Sequence, residues 1–261
     1  MDNFKQQYPN IKVNEFPTET YQSNIGPIEI SAVRELNPNG RTSEHQRMKN
    51  CVNACINRDI YDLEGIDFIP AIFVDIGNGP GGEVSLKAHH LWPDCKIIGV
   101  EPVVNINHVH NITGKSNIIL DPHPIVGFYD YGDPYPYWPP MCSDSARRIQ
   151  SPLNQSVKTF LEKHDIDHID FLKIDCESAE VGILTEMRDI GILHNIKVIA
   201  GEWHWEFSRQ QVNELLKDTH NIKWKWRDVG HTPEWRSFDK WTREGRHHPD
   251  YNWDDFFAEL K

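Results

Sequence analysis

The stretch from Phe73 to Leu86 limits the folds open to this chain more than any other part of its sequence. An apolar run that ends in an acid, Phe73-Val-Asp75, is followed by glycines at positions 77, 79, 81 and 82 and then by a helical pattern. Glycine tolerates positive φ and has no Cβ to obstruct an approaching ligand. The pattern therefore predicts a strand, a turn that can cradle a nucleotide, and a helix.

Two later apolar runs also end in acids. The run Lys96-Ile-Ile-Gly-Val100 closes on Glu101, about twenty residues after Gly81, which is the spacing at which a βα unit returns an acid to the hydroxyls of a ribose. The run Ile169-Asp-Phe-Leu-Lys-Ile174 closes on Asp175-Cys-Glu177. Ligands of parallel sheets bind beyond the carboxyl ends of the strands. We therefore expect the polar ends of these strands to converge on one rim of one sheet.

Strands that alternate with helices predict one α/β domain with additions at both ends. Hydrophobic periodicity indicates further strands at 117–128, 197–204 and 222–226, and helices at 82–91 and 153–164. We therefore predict a doubly wound, mostly parallel Rossmann-like sheet with helices on both faces, over residues 42–230. Residues 1–41 are predicted to form an irregular arm with a short strand at 28–31, and residues 231–261 an aromatic-rich extension that packs on the domain.

The charge balance argues against nucleic acid as a partner. The 261 residues include 27 basic and 39 acidic side chains, a net charge of −12, which opposes binding to phosphate backbones. Five scattered cysteines without paired C-x-x-C spacing indicate neither a disulfide framework nor a zinc site. No apolar run approaches the length of a membrane span. We expect a soluble, unprocessed cytoplasmic protein with reduced thiols and no membrane partner, and the sequence leaves its oligomeric state open.

Three motifs together resemble the FkbM-type family of S-adenosylmethionine-dependent methyltransferases. They lie at residues 74–81, 100–102 and 169–180, and the resemblance extends over about residues 71–205. The third motif is the most specific, because a strand that runs into Lys173-Ile-Asp-Cys-Glu-Ser-Ala-Glu180 is a much narrower signature than a glycine loop. The resemblance implies a Rossmann-like methyltransferase sheet with S-adenosylmethionine as its cofactor.

The same resemblance implies which residues bind the cofactor. Its amino-acid end is expected over Asp75, Gly77 and Gly79, and its ribose hydroxyls are expected to be held by Glu101. The polar segment around Ser143 resembles one that lies near the cofactor in similar enzymes. The predicted cofactor-binding residues are Asp75, Gly77, Gly79, Gly81, Glu101, Pro102, Ser143 and Asp144.

Methyl transfer to an alcohol requires the acceptor to lose a proton, which calls for a positioned base or a metal ion. Asp175, Glu202 and His204 lie at or near the ends of two strands that would be neighbours in this fold. We predict all three as catalytic residues, with His204 as the base in a metal-free site. In the alternative, Asp175 and Glu202 bind a divalent ion such as Mg²⁺ or Mn²⁺, since hard cations prefer oxygen ligands. Lys173 is expected to pair with an acid.

The acceptor that the resemblance implies is a small molecule with a hydroxyl group, most of all a saccharide. The aromatic stretch from Tyr129 to Pro140 agrees with a saccharide because aromatic rings offer large apolar contact with a polar handle, and a proline-stiffened loop that packs on itself explains it as well. The glycines at 77, 79 and 82 also match a dinucleotide turn. An NAD(P)-dependent oxidoreductase or sugar-nucleotide enzyme is therefore the second hypothesis, and a non-catalytic binding module is the third.

Overall fold

The computed structural model describes residues 2–31, 44–79, 81–125, 154–176, 179–203, 209–226 and 254–261. The strands are β1 Thr18–Ser23, β2 Gly26–Ser31, β3 Ile72–Ile76, β4 Lys96–Val100, β5 Ile118–Asp121, β6 Ile169–Ile174, β7 Ile196–Trp203, β8 His220–Trp226 and β9 Asp254–Leu260. The helices are α1 Asp2–Gln7, α2 Glu44–Val52, α3 Glu83–Leu91, α4 Ile106–Ile112, α5 Val157–His164, α6 Glu180–Asp189 and α7 Arg209–Leu216. Over these ranges we find no helix with the length and apolar character needed to cross a membrane.

Seven of the strands form one sheet in the order β5-β4-β3-β6-β7-β9-β8. The pairs from β5 to β7 are parallel, while β9 is antiparallel to both of its neighbours. The chain winds outward from β3 to β5 on one side and from β6 onward on the other side. The strand order therefore reverses between β3 and β6, which is where open parallel sheets bind their ligands.

The two faces of the sheet pack against different sets of helices. Val74 belongs to a core cluster with residues of α5, α6 and α7, whereas its neighbour Phe73 packs in a second cluster with residues of α2 and α3. Successive side chains of a strand point to opposite faces, so both faces of β3 must be apolar. The predicted mostly parallel α/β sheet with helices on both faces is confirmed.

The ends of the elements follow local sequence signals. The hydroxyl of Ser156 accepts a hydrogen bond from the backbone N–H of Thr159 at 3.0 Å and caps α5. Helix α6 ends at Asp189, and Gly191 then takes a φ of +80°, as expected for a glycine after a helix C-terminus. The strand predicted over 117–128 is shorter, because β5 ends at Asp121 before a proline.

The two ends of the chain contain more regular structure than their sequences indicate. The N-terminal segment has a helix, α1, and a hairpin in which β1 pairs with β2, so the short strand predicted at 28–31 is part of a longer element. At the other end, residues 254–260 of the predicted extension form β9 inside the main sheet. The domain boundaries that we predict next to residues 41 and 231 lie outside the described residues.

Candidate active site

Four parallel strands end side by side at one rim of the sheet. The last paired residues are Ile76 with Val100, Ile76 with Ile174, and Ile174 with Gly201. These pairs involve one end residue from each of the four strands, and the next residue along the chain is in each case a predicted site residue. The four site residues are Gly77, Glu101, Asp175 and Glu202. The expected convergence of polar strand ends on one rim is therefore confirmed by the register.

The turn after β3 requires glycine for two separate reasons. Gly77 and Gly79 have φ values of +78° and +74°, which side chains with a Cβ rarely adopt. In addition, a Cβ on Gly77 would lie 1.8 Å from the carbonyl oxygen of Asp175. The N–H of Gly77 donates to the carbonyl oxygen of Val100 at 3.0 Å. The turn is thus held against the ends of both neighbouring strands.

Asp75 lies beneath this turn and is completely buried. Its Oδ1 atom is 3.1 Å from the Nζ atom of Lys173, and its Oδ2 atom accepts hydrogen bonds from Asn78 at 2.6 Å and from Ser85 at 2.9 Å. Lys173 also donates to the carbonyl oxygen of Gly77. Although burial alone lowers the pKa of Lys173, the charges of Asp75 and Asp175 raise it above its ordinary value. The prediction that Lys173 pairs with an acid is confirmed.

His108 supports the same turn from α4. Its Nε2 atom is 2.6 Å from the Oδ1 atom of Asn78. Burial lowers the pKa of His108 to about 3, so its ring is neutral. The amide nitrogen of Asn78 donates to Asp75, which leaves its oxygen as an acceptor. His108 therefore carries its proton on Nε2 and donates it to Asn78.

Two further acids at the turn have raised pKa values. Glu83, the first residue of α3, is buried, and burial raises its pKa to about 7. Its Oε2 atom accepts the N–H of Gly81 at 3.4 Å, while its Oε1 atom is buried without a hydrogen-bond partner among the described residues. Glu101 is half-buried and accepts the N–H of Val103 at 2.8 Å, and burial raises its pKa to about 8.

The candidate catalytic acid Asp175 is half-buried at the end of β6. The hydroxyl of Tyr61 donates to its Oδ2 atom at 2.6 Å. Tyr61 is buried, and its ring centroid is 5.4 Å from the Nζ atom of Lys173. Asp175 therefore accepts a hydrogen bond from Tyr61 and interacts with the charge of Lys173.

The remaining predicted site residues are placed as follows. Glu202 is buried on β7, next to β6, and Asp175 is the residue that follows β6. Pro102 is exposed just after Glu101. The predicted residues His204, Ser143 and Asp144 lie outside the described residues. In the part of the chain that the structure describes, we find no group of three or more His, Cys, Asp or Glu side chains placed to hold a metal ion, so the predicted metal at Asp175 and Glu202 has no support from the geometry.

Several site residues were not predicted from the sequence. Asp75 accepts hydrogen bonds from Asn78 and Ser85, and Asn78 in turn is bonded to His108. Asp175 is contacted by Tyr61, which lies far away in the sequence. The position of Glu83 immediately after Gly82 was a usable signal, because an acid at the start of a helix that follows a glycine turn faces that turn. Nothing in the sequence indicates the contact of Tyr61.

The site is suited to a positively charged nucleoside ligand. The glycines leave one side of the turn without Cβ atoms, and the acids Glu83, Glu101 and Asp175 lie around it. The described cation closest to these acids, Lys173, is already paired with Asp75. The surplus of carboxylates favours a ligand with ammonium or sulfonium groups over one with phosphates.

Comparison with known proteins gives a family match. The family model described as the methyltransferase FkbM domain matches residues 75–242. A search of curated proteins found no match.

Three similar solved structures are methyltransferases with low sequence identity to this chain. Precorrin-6y C5,15-methyltransferase from Geobacter metallireducens is 12% identical, with a TM-score of 0.38 and coverage of 87% of this chain and 92% of that chain. The METTL16 methyltransferase domain is 12% identical, with a TM-score of 0.44 and coverage of 86% and 85%. Human N-acetylserotonin methyltransferase, solved in complex with SAM, is 12% identical, with a TM-score of 0.40 and coverage of 83% and 55%.

Proposed function

We propose that this chain, which belongs to the FkbM methyltransferase family, transfers a methyl group from S-adenosylmethionine to a hydroxyl oxygen of a saccharide. Membership of the family makes it an S-adenosylmethionine-dependent methyltransferase, and the hydroxyl acceptor and the saccharide are our proposals. The observation that carries the hydroxyl acceptor is the half-buried carboxylate of Asp175 at the rim of the sheet, which accepts a hydrogen bond from Tyr61.

The residues at the rim divide into binding and proton-transfer roles in this proposal. The cofactor supplies a methyl group on a sulfonium, which an oxygen nucleophile attacks in line. Gly77 and Gly79 accommodate its amino-acid end, and Glu101 accepts hydrogen bonds from its ribose hydroxyls. Asp175 orients the acceptor hydroxyl and accepts its hydrogen bond, while His204 takes the proton.

Glu202 has a supporting role in the same proposal. It is buried on β7, and β7 is the parallel neighbour of the strand that leads to Asp175. A buried carboxylate beside a neutral imidazole orients the ring and stabilises the protonated form. We therefore assign Glu202 to the positioning of His204, two residues further along the chain.

Two features of the sequence support a saccharide as acceptor. One is the resemblance of the family motifs, and the other is the aromatic stretch from Tyr129 to Pro140, which lies outside the described residues. Tyrosine and tryptophan rings bind sugars through their apolar faces while their polar atoms form hydrogen bonds. An acidic chain with a net charge of −12 also favours an uncharged acceptor over a polyanionic one.

The family match decides between the two enzyme hypotheses in favour of the methyltransferase. Calorimetric titration checks this directly, because a methyltransferase binds S-adenosylhomocysteine and not NADH. Binding of NADH alone would restore the oxidoreductase hypothesis, and binding of neither ligand would favour a non-catalytic module.

The acceptor is identified by a transfer assay with a labelled methyl group. We expect label from S-adenosylmethionine to appear on free sugars, glycosides or nucleoside diphosphate sugars, as an ether that resists mild base. A base-labile methyl ester on a carboxylate, or labelled nitrogen, contradicts the hydroxyl acceptor. Label only on non-sugar alcohols contradicts the saccharide and leaves the hydroxyl chemistry in place.

The same assay tests the metal hypothesis. Incubation with EDTA, followed by removal of the chelate and addition of Mg²⁺ or Mn²⁺, separates the two versions of the site. An unchanged rate under chelation supports proton transfer to His204 without a metal. A loss of activity that Mg²⁺ or Mn²⁺ restores supports a divalent ion at Asp175 and Glu202.

A further inference from the structure

The carboxylate of Glu83 lines the glycine turn beside Gly79 and Gly81, where these residues have no Cβ atoms. A Cβ on Gly79 would lie 3.0 Å from its Oε2 atom, and a Cβ on Gly81 would lie 2.8 Å from its Oε1 atom. The residue is only 3% exposed. Glu83 is therefore directed into the turn and away from solvent.

One oxygen of this carboxylate lacks a partner. Oε2 accepts the N–H of Gly81, whereas Oε1 is buried with no hydrogen bond among the described residues. Lys173 is the nearby cation, but its ammonium group is already used by Asp75 and by the carbonyl oxygen of Gly77. A buried carboxylate oxygen without a donor is costly, unless a ligand supplies the donor.

An equivalent acid elsewhere in the fold shows what an ordinary structural role looks like. Glu180 is likewise the first residue of a helix, α6, and is likewise buried. Its Oε1 atom accepts the backbone N–H of Cys176 at 2.8 Å, so it closes the loop that precedes its helix. The carboxylate of Glu83 interacts with its own backbone N–H and with the N–H of Gly81, and the contact to Gly81 is 3.4 Å long. That distance makes a poor hydrogen bond for a residue that serves only as a helix cap.

We propose that Glu83 binds the α-ammonium group of the methionine part of S-adenosylmethionine, while Asp75 holds the turn in shape. This inference rests on the proposed function. Asp75 is fully buried and forms an ion pair with Lys173, so its charge is neutralised inside the protein. The charge of Glu83 is not compensated in this way, and a cationic group at the turn supplies both the missing hydrogen bond and the missing countercharge.

The test compares two ligands that differ only at the proposed contact. S-adenosylhomocysteine carries the α-amino group, and its deamino analogue has hydrogen in that place. We expect the wild-type protein to bind the first at least about tenfold more tightly than the second in calorimetric titrations, because charge-assisted hydrogen bonds are strong. Glu83→Gln should reduce this ratio to near one by weakening the binding of S-adenosylhomocysteine only.

Glu186→Gln is the matched control. Glu186 is also a buried acid, but both of its oxygens accept backbone N–H groups, those of Val157 at 3.1 Å and Lys158 at 3.2 Å. The control variant should keep the wild-type ratio. An unchanged ratio in folded Glu83→Gln, as judged by circular dichroism, overturns the proposal.

A measurement on the wild-type protein keeps the proposal testable if the variant does not fold. Burial raises the pKa of Glu83 to about 7, and Asp75 and Lys173 are the charged groups that act on it. Binding of an ammonium group should release the proton of Glu83 near pH 6.5, which titrations in two buffers of different ionisation enthalpy detect. Both ligands carry the same ribose, so any proton released from Glu101 is the same for the two. Equal total proton release with both ligands therefore contradicts the contact between Glu83 and the ammonium group. If the wild-type protein binds neither ligand, the proposed function itself fails.

Discussion

At the scale of single residues, acids close to one another on this sheet differ because their surroundings differ. Asp121 at the end of β5 is fully buried, yet hydrogen bonds from His164, Gln155 and Lys163 outweigh burial and lower its pKa well below the ordinary value. Glu101, which follows the adjacent strand, has a pKa raised to about 8 by burial, since its partners are backbone N–H groups. Asp121 is therefore structural, whereas Glu101 is suited to bind a ligand that supplies further donors.

The first prediction separates cofactor binding from catalysis. Glu101→Gln should weaken the binding of S-adenosylhomocysteine by about tenfold or more, because an amide offers the ribose hydroxyls one acceptor oxygen where the carboxyl group offers two. Asp175→Asn should leave that affinity nearly unchanged but lower kcat by about 10²- to 10⁴-fold. Titrations and single-turnover assays on both variants provide the measurement. Equal losses of cofactor affinity in the two variants contradict this division of roles.

The second prediction concerns stability and pH. Burial raises the pKa of Glu83 from 4.5 to about 7. Between pH 4.5 and about pH 7, Glu83 is therefore protonated in the folded state and ionised in the unfolded state. The free energy of unfolding contributed by Glu83 therefore falls as the pH rises from about 4.5 to 7. Relative to wild type, Glu83→Gln should gain stability over this interval, by up to about 3 kcal/mol.

Urea unfolding at pH 5, 6 and 7.5 measures this difference. Glu186→Gln controls for the loss of a buried carboxylate at another place in the fold, and saturating S-adenosylhomocysteine should abolish the advantage of Glu83→Gln. Parallel stability curves for wild type and Glu83→Gln would show that the carboxylate does not titrate as described.

At the scale of elements, the glycine turn and the strand ends that contact it are one structural unit. Gly77 is pressed against the backbone after β6, and a Cβ on Gly201 of β7 would lie 2.3 Å from the carbonyl oxygen of Ile174. The rim is therefore closely packed along three neighbouring strands. Such packing fixes the relative positions of Asp175 and the turn, which in-line transfer requires.

The third prediction separates the steric requirement at Gly77 from the conformational one. Gly191 has nearly the same φ as Gly77, +80° against +78°, but a Cβ there would meet nothing within 4 Å. Gly191→Ala should cost about 1–2 kcal/mol for the left-handed backbone alone. Gly77→Ala should cost at least about 3 kcal/mol more, because the backbone of Asp175 must move. Similar unfolding free energies for both variants would mean that the backbone of Asp175 can move aside at little energetic cost.

The sequence predicted those elements whose local pattern agrees with their tertiary environment. The core strands β3, β4, β6 and β7 are apolar runs between turn signals, and all four were predicted. Helix α4 was missed because Asn105-Ile-Asn-His-Val-His-Asn-Ile112 is rich in residues with low helix propensity. It forms because Val109 packs in a small core and because Asn107 bonds to Ser31 at 2.7 Å. Such long-range contacts leave no periodic signal.

At the scale of the whole molecule, the last strand shows why a domain boundary is hard to read from sequence. Asp254-Asp-Phe-Phe-Ala-Glu-Leu260 has two adjacent phenylalanines and none of the alternation of a half-buried strand. The structure explains the pattern, since Phe256 packs on one face of the sheet and Phe257 on the other. A strand that is buried on both faces needs consecutive apolar residues.

The last prediction follows from this position of β9 between β7 and β8. The strand pairs with Val198–Trp203 on one side and with His220–Trp226 on the other, so among the described strands β9 alone joins β8 to the sheet. Deletion of residues 254–261 should therefore expose the edge of β7, release β8, and abolish cooperative thermal unfolding. Removal of Phe256 and Phe257 alone takes two buried aromatic side chains from the core, and each such loss typically costs about 3–5 kcal/mol.

Deletion of residues 2–7 is the matched control, because it removes an element of similar length from the other end of the chain. Helix α1 contributes Phe4 to a small cluster with Val104, Val109 and Leu120 and forms no part of the sheet. This variant should keep a cooperative transition at a lower Tm, as followed by circular dichroism and calorimetry. If the C-terminal deletion unfolds as cooperatively as the N-terminal one, the sheet is complete without β9. In that case the final strand would be an addition to the methyltransferase domain and not a part of its core.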